Sequence, residues 1–284
     1  MTAADWLTIT SGAAPLVVSL PHAGTLLPPD IESRVVSPWL ARKDADWWID
    51  SLYGFAAELG ATVIHTAISR TVIDVNRDPS GASLYPGQAT TGLCPVETFD
   101  GEPLYADDDA PTSRDIVERR RRYFMPYHAA LSEQLTRLIA RHPCVVLYDC
   151  HSIRSVIPRL FEGELPHFNL GTSDGASCDW TLTRALERVC DRSGLSRVTN
   201  GRFKGGYITR HYGLREAGVH AVQMELACRG YMDEPPVVGP ATWPTPYSEA
   251  RAAALRATLV AVLERALGWA VDGPAGEPST KGVS

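Results

Sequence analysis

CVVLYDCHS, residues 144–152, is an apolar run that ends in polar chemistry. Cys144 to Tyr148 reads as a buried strand. The two-residue period of a strand then puts Asp149 and His151 on one face. Working outward, four more segments share this character: Leu16 to Leu20, Ala61 to His65, Arg70 to Val75 and His220 to Leu226. Helical patterns lie between them. One runs from Asp46 through Trp48, Leu52, Phe55, Ala56 and Leu59 to a stop at Gly60. Thr112 to His142 is a long helical stretch, expected to bend at Pro126, and Cys178 to Asp191 and Tyr247 to Ala270 are two more. Strands alternating with helices predict an α/β fold with helices on both faces of the sheet. TVIHTAISRTVIDVNR (residues 62–77) reads as two strands joined by a tight turn, so the sheet is expected to be mixed but mostly parallel.

The 284 residues fit one α/β domain, expected over residues 1–271, followed by a flexible tail over 272–284. Apolar residues are 44 % of the chain, ordinary for a full core. Basic residues number 27 against 33 acidic, a net charge of −6. The one basic block, Arg119 to Arg122, follows Asp115 and Glu118 on a helical pattern and reads as a solvated face. An acidic chain without a basic stripe argues against nucleic acid as a partner. No signal pattern and no run of transmembrane length is present, so a cytoplasmic protein without membrane contact is expected. The six cysteines form no CxxC pair, and free thiols are the expectation. Two long loops, Pro79 to Pro111 and Ile153 to Ser177, interrupt the pattern, and loops of that length in a compact domain are usually functional or disordered.

Ligands of open α/β sheets sit beyond the C-terminal ends of strands. The first strand delivers His22 there. The segment ending at Val75 delivers Asp74, Asn76, Arg77 and Asp78, and the next delivers Asp149, His151 and Ser152. A carboxylate beside a histidine at a strand end suits a metal ligand with a supporting partner. Glu225 is the sharpest anomaly. It shares a strand face with Gln223, whereas Val222, Met224 and Leu226 form the other, which suggests a lined cavity and a carboxylate of raised pKa fit for general-base work. Asp44 and Asp46 stand at a helix start, where acidic residues are ordinary caps. Arg70, Arg77, Arg154, Arg159 and Arg210 fall in or beside the strand-end loops and point to an anionic substrate.

Seven motifs in this order, SLPHAG, DADWW, SRTVIDVNRDPSGASLYPGQATTGLCP, DCHSIRS, NLGTSDGASC, NGRFKGGYITRHYG and VQMELA, resemble the N-formylglutamate deformylase (N-formylglutamate amidohydrolase) family over about residues 15–235. The resemblance implies a fold related to zinc carboxypeptidases and aspartoacylases, and hydrolysis of N-formyl-L-glutamate to formate and L-glutamate in histidine degradation. It implies one Zn2+ (another divalent ion remaining open) on His22, Asp46 and His151. Glu225 falls on the general base, and Asn76 and Arg77 on the pair that holds a substrate carboxylate. Arg70 or Arg77 would stabilise the oxyanion, and Arg154 or Arg210 would take the second carboxylate. One departure stands out: related peptidases draw two ligands from HxxE, but His22 is followed by Ala23, Gly24 and Thr25. Asp44 and Asp149 therefore stay open as alternatives to Asp46. Rival readings are a metallo-deacylase or carboxypeptidase for another N-acyl amino acid and a non-catalytic binder of acidic metabolites. A serine hydrolase lacks support, because no GxSxG elbow occurs. Oligomeric state is not legible.

Overall fold

A computed structural model describes residues 6–84 and 87–273. Its sheet has the strand order β1-β3-β2-β4-β7-β5-β6, with β1 at Leu7–Thr10, β2 at Leu16–Leu20, β3 at Thr62–Thr66, β4 at Val145–Ile153, β5 at Phe168–Gly171, β6 at Arg197–Thr199 and β7 at Val219–Ala227. The four central strands β3, β2, β4 and β7 run parallel, while β1 pairs antiparallel with β3 and β5 antiparallel with β7. The expected mixed, mostly parallel sheet is present. Its antiparallel members are, however, β1 and the β5–β6 pair rather than a hairpin within residues 62–77.

The segment from Arg70 to Val75 is not a strand. It turns back on itself through Val72 N–H to Ser69 C=O, and its ladder is reduced to Asp74 N–H on Leu93 C=O. Val72, Ile73 and Val75 are buried by packing beneath the sheet edge, so the apolar run reflects burial without strand pairing. The Ile153 to Ser177 loop contains β5, and the Pro79 to Pro111 loop carries no helix or strand among its described residues.

Eight α-helices are described: α1 Pro29–Glu32, α2 Leu40–Lys43, α3 Ile49–Leu52, α4 Ser113–Arg119, α5 Met125–Ile139, α6 Trp180–Arg192, α7 Tyr207–Tyr212 and α8 Glu249–Asp272. The helix expected over Asp46 to Leu59 starts only at α3, because Trp48 takes a left-handed conformation with φ 61°, and after Tyr53 it gives way to a 3-10 turn at Ala56–Leu59. The bend expected at Pro126 appears as a π turn over Arg120–Phe124, which lets Pro126 enter at the first turn of α5, where its missing N–H costs nothing. α8 runs one residue past the expected end of the domain, and the proposed tail from 274 on lies outside the described residues.

Both sheet faces are covered. Val18, Val146, Tyr148, Val222 and Met224 pack under α3, α6 and α8. Val17, Val145, Leu147 and Ala221 pack under α5 and α7. On that second face the strands change character toward their C-terminal ends. Val145 and Leu147 give way to Asp149 and His151, and Val219 and Ala221 give way to Gln223 and Glu225. The register aligns these changes, with Asp149 opposite Gln223 and His151 opposite Glu225. Ser19 of β2 sits opposite Asp149 and donates to it at 2.8 Å, and Tyr127 of α5 meets the same hydroxyl at 2.9 Å. The core ends and the site begins at this layer.

Leu147 is fully buried, so Leu147→Ala should lower the unfolding free energy by about 2–5 kcal/mol through the cavity it leaves. Tyr127→Phe keeps the ring and loses one hydrogen bond, so it should cost only about 1 kcal/mol. Urea unfolding of the two variants measures the difference. Equal losses would place the link between α5 and the sheet in the polar contact instead of the packed apolar layer.

Candidate metal and substrate site

The turn after β2 carries His22 across the sheet edge. Its Nε2 meets Asp74 Oδ1 at 2.6 Å, so Asp74 fixes the ring and leaves Nδ1 turned inward. Burial and the Arg70 charge lower the His22 pKa, keeping the imidazole neutral. Burial alone would push Asp74 up, but Arg77, His22 and Arg70 together hold it well below the usual carboxylate range. Asp46 arrives from the loop before α3. Its backbone N–H donates to His22 C=O at 3.0 Å, tying the two residues together through the main chain.

His151, on the last turn of β4's pleat, has Nε2 3.0 Å from Asp149 Oδ2 and Nδ1 3.0 Å from Asp46 Oδ2. Burial disfavours its charge, but Asp149 and Asp46 outweigh burial and raise its pKa well above the ordinary value. The two imidazoles lie 4.8 Å apart, centre to centre. One donor atom from each of His22, Asp46 and His151 lies within 4.8 Å of the other two, and all three residues are buried. His22 Nδ1 and Asp46 Oδ1 are buried without a hydrogen-bond partner. Two neutral-capable imidazoles and a carboxylate, with inward donors left unsatisfied, fit a divalent cation. Each imidazole is backed by a further carboxylate, Asp74 or Asp149, the usual support of a metal-binding histidine.

Of the alternatives, Asp149 backs His151 from the side away from Asp46. Asp44 points elsewhere, accepting from Phe99 N–H at 2.6 Å, and burial pushes its carboxyl up to about 6. The pocket in front of this cluster is lined by His22, Arg70, Asn76, Arg77, Phe99, His151, Ile153, Leu160, Arg202, Phe203, Gly206, Gln223 and Glu225, among others. Glu225 is buried beside His151. Burial raises its pKa to about 7, against the opposing pull of the His151 charge.

The arginines divide. Arg70 binds Asp74 at 2.7 Å and stacks on Phe99 at 4.7 Å from the ring centre. Arg77 donates to Thr91 C=O and faces the same pocket. Arg154 is drawn off to Asp100 at 2.6 Å, where with Lys43 it anchors the loop that carries Phe99. Arg210 donates to Gly205 C=O at 2.9 Å. Neither Arg154 nor Arg210 lines the pocket. The cation that does, and that sequence reasoning passed over, is Arg202, inside the quoted NGRFKGG stretch. It donates to Leu160 C=O and Ala89 C=O and so bridges both long loops. Asn76 lines the pocket, but its amide is engaged internally: Nδ2 donates to Asp149, and Oδ1 accepts from Ile208 N–H.

A profile of the N-formylglutamate amidohydrolase family matches residues 14–232. The chain is 46 % identical over 264 residues to the N-formylglutamate deformylase of Pseudomonas aeruginosa, spanning 93 % of this chain and 96 % of the relative. To that of Pseudomonas putida it is 44 % identical over 267 residues, spanning 94 % and 97 %. The crystal structure of N-formylglutamate amidohydrolase from Ralstonia eutropha JMP134 superposes with a TM-score of 0.77 at 25 % identity, covering 95 % of this chain and 99 % of that one. A fold of the same kind occurs in a gene product of Agrobacterium tumefaciens, with a TM-score of 0.69 at 17 % identity. Length, fold and sequence agree from end to end of the match, and the chain belongs to the N-formylglutamate amidohydrolase family.

Proposed function

We propose that the protein hydrolyses N-formyl-L-glutamate to formate and L-glutamate, with His22, Asp46 and His151 holding a single divalent ion, zinc in our reading. The observation that carries this is the set of inward, buried donors on those three residues at the floor of a pocket rich in arginine. When bound, zinc would polarise the formyl carbonyl and acidify water at an open position.

The chain's own groups do the rest. Glu225, raised to about 7, is poised to take a proton from the attacking water and hand it to the departing amine nitrogen. Arg70 or Arg77 faces the position where negative charge develops on the formyl oxygen. The substrate brings two carboxylates, and each needs a cation. Arg77 is the anchor for one. Arg202 replaces Arg154 and Arg210 as the anchor for the other, because it alone of the three opens on the pocket. Asn76 acts by holding Asp149 and the start of α7 in place, since its amide is occupied. Phe99, Ile153 and Leu160 supply an apolar wall that excludes water. Six buried free cysteines suit a reducing cytoplasm.

Glu225→Gln should lower kcat by about 10^2- to 10^4-fold with zinc content unchanged. Near-normal turnover would remove Glu225 from the proton transfer. Dialysis against a strong chelator should abolish activity, and stoichiometric zinc should restore it in the parent but not in His22→Ala or His151→Ala. Metal analysis separates this from a binder of acidic metabolites, which would retain ligand affinity without metal. Arg202→Met should raise KM for N-formylglutamate by about 10-fold or more, the loss of one charged hydrogen-bonded contact, while barely changing hydrolysis of N-formylnorvaline, which lacks the side-chain carboxylate. Equal effects on both substrates would mean Arg202 serves the loops alone.

A further inference from the structure

Gln223 is a buried polar side chain, 4 % exposed, on a strand otherwise made for a core. It precedes Glu225 by two residues, so both point to the pocket. Its amide orientation is fixed from one end. Gly206 N–H donates to Oε1 at 2.8 Å, and a backbone N–H requires an acceptor there. The amide nitrogen is thereby turned toward Glu225, and Nε2 donates to Glu225 Oε2 at 3.2 Å. Among the described residues this is the hydrogen bond that the Glu225 carboxylate makes.

The donor that sets this orientation is itself held tightly. Gly171 of β5 lies opposite Gln223 in the sheet. It has no Cβ, and one placed there would come within 2.6 Å of Gly205 N, so the chain at 204–206 crosses directly over the sheet face. On the other side, Tyr207 N–H and Ile208 N–H bond to Asn76 C=O and Oδ1. The pocket wall is wedged between β5 and Asn76, and Gln223 joins that wall to the glutamate.

We infer that Gln223 is a positioning residue, one that holds the Glu225 carboxylate in a single orientation by linking it to the backbone of Gly206. This rests on the reading of Glu225 as general base. One oxygen is engaged by the amide, which leaves the other to face the attacking water. A free carboxylate would sample orientations in which neither oxygen meets that proton, and misplacement on this scale carries a cost of about 10- to 100-fold.

The test is a double-mutant cycle on the zinc-loaded enzyme. Gln223→Met keeps the length and removes both hydrogen bonds. Gln223→Glu keeps the acceptor for Gly206 and replaces the donor to Glu225 with a like charge. Both should lower kcat by about 10- to 100-fold, with KM within about threefold and metal content unchanged. In a Glu225→Gln background the same substitutions should change kcat less than about twofold, because the group they position is gone. Equal losses in both backgrounds, or a rise in KM at constant kcat, would make Gln223 a structural strut for the loop and overturn the inference. Should Gln223→Met fail to fold, Gln223→Glu carries the same comparison. Full turnover in Glu225→Gln alone would instead defeat the general-base reading, a result the cycle reports separately.

Discussion

Buried negative charge is the constraint from which the rest of the site follows. Asp46, Asp74, Asp149 and Glu225 are each less than a tenth exposed and crowd around two imidazoles at one end of the sheet. Isolated carboxylates in such a place would be prohibitively costly. Arg70 and Arg77 offset part of the charge through Asp74. The protein answers the remainder with protons: His151 is driven toward its charged form, and Glu225 is pushed up to about 7. A divalent cation among His22, Asp46 and His151 would take over this work, because two guanidinium groups and two cationic charges match four carboxylates. The same electrostatic deficit that makes the fold costly makes the site receptive to a metal.

That deficit is bearable because the sheet confines it. On the face shared by β4 and β7, the first half of each strand is apolar and supports α5, while the second half is polar and faces the pocket. Parallel register brings the two polar halves level. Ser19 and Tyr127 form the seam, satisfying the outer side of Asp149 so that its other oxygen can back His151. The mouth is built from residues of the two long loops. Arg202 fastens them to each other, and Phe99, Ile153, Ile157 and Leu165 close a small apolar cluster beneath.

Strand periodicity made the floor of the site legible before any coordinates. Asp149 with His151, and Gln223 with Glu225, follow from spacing within single strands. What periodicity could not reach are contacts between segments. Asp74 as the partner of His22 spans 52 residues, and nothing local to either residue announces it. Arg154 looked like a substrate anchor by its place after β4, but a neighbour distant in sequence, Asp100, takes it away. Arg202 lies just past β6, a three-residue strand too short for periodicity to reveal, and was overlooked for that reason. The run from Arg70 to Val75 was misread as a strand because burial, rather than pairing, selects its apolar residues. The break at Trp48 had no signal at all, since a left-handed tryptophan is unusual and only tertiary contacts hold it: its indole N–H reaches Thr245 C=O.

That break bears on the absence of an acid three residues after His22. A short ligand motif fixes two donors by the local geometry of one turn. Here the carboxylate comes from 24 positions later, and something else must set the distance. The main chain does so, through Asp46 N–H on His22 C=O. Trp47 C=O accepts from Tyr231 Oη on the next side, and the left-handed Trp48 then turns the chain out of the site into α3. Had α2 continued through Asp46, the Asp46 N–H would have bonded Arg42 C=O and this link to His22 would have been lost. The irregular backbone between Asp44 and Ile49 is therefore the device that lets Asp46, rather than a residue of the histidine's own turn, stand beside the two imidazoles.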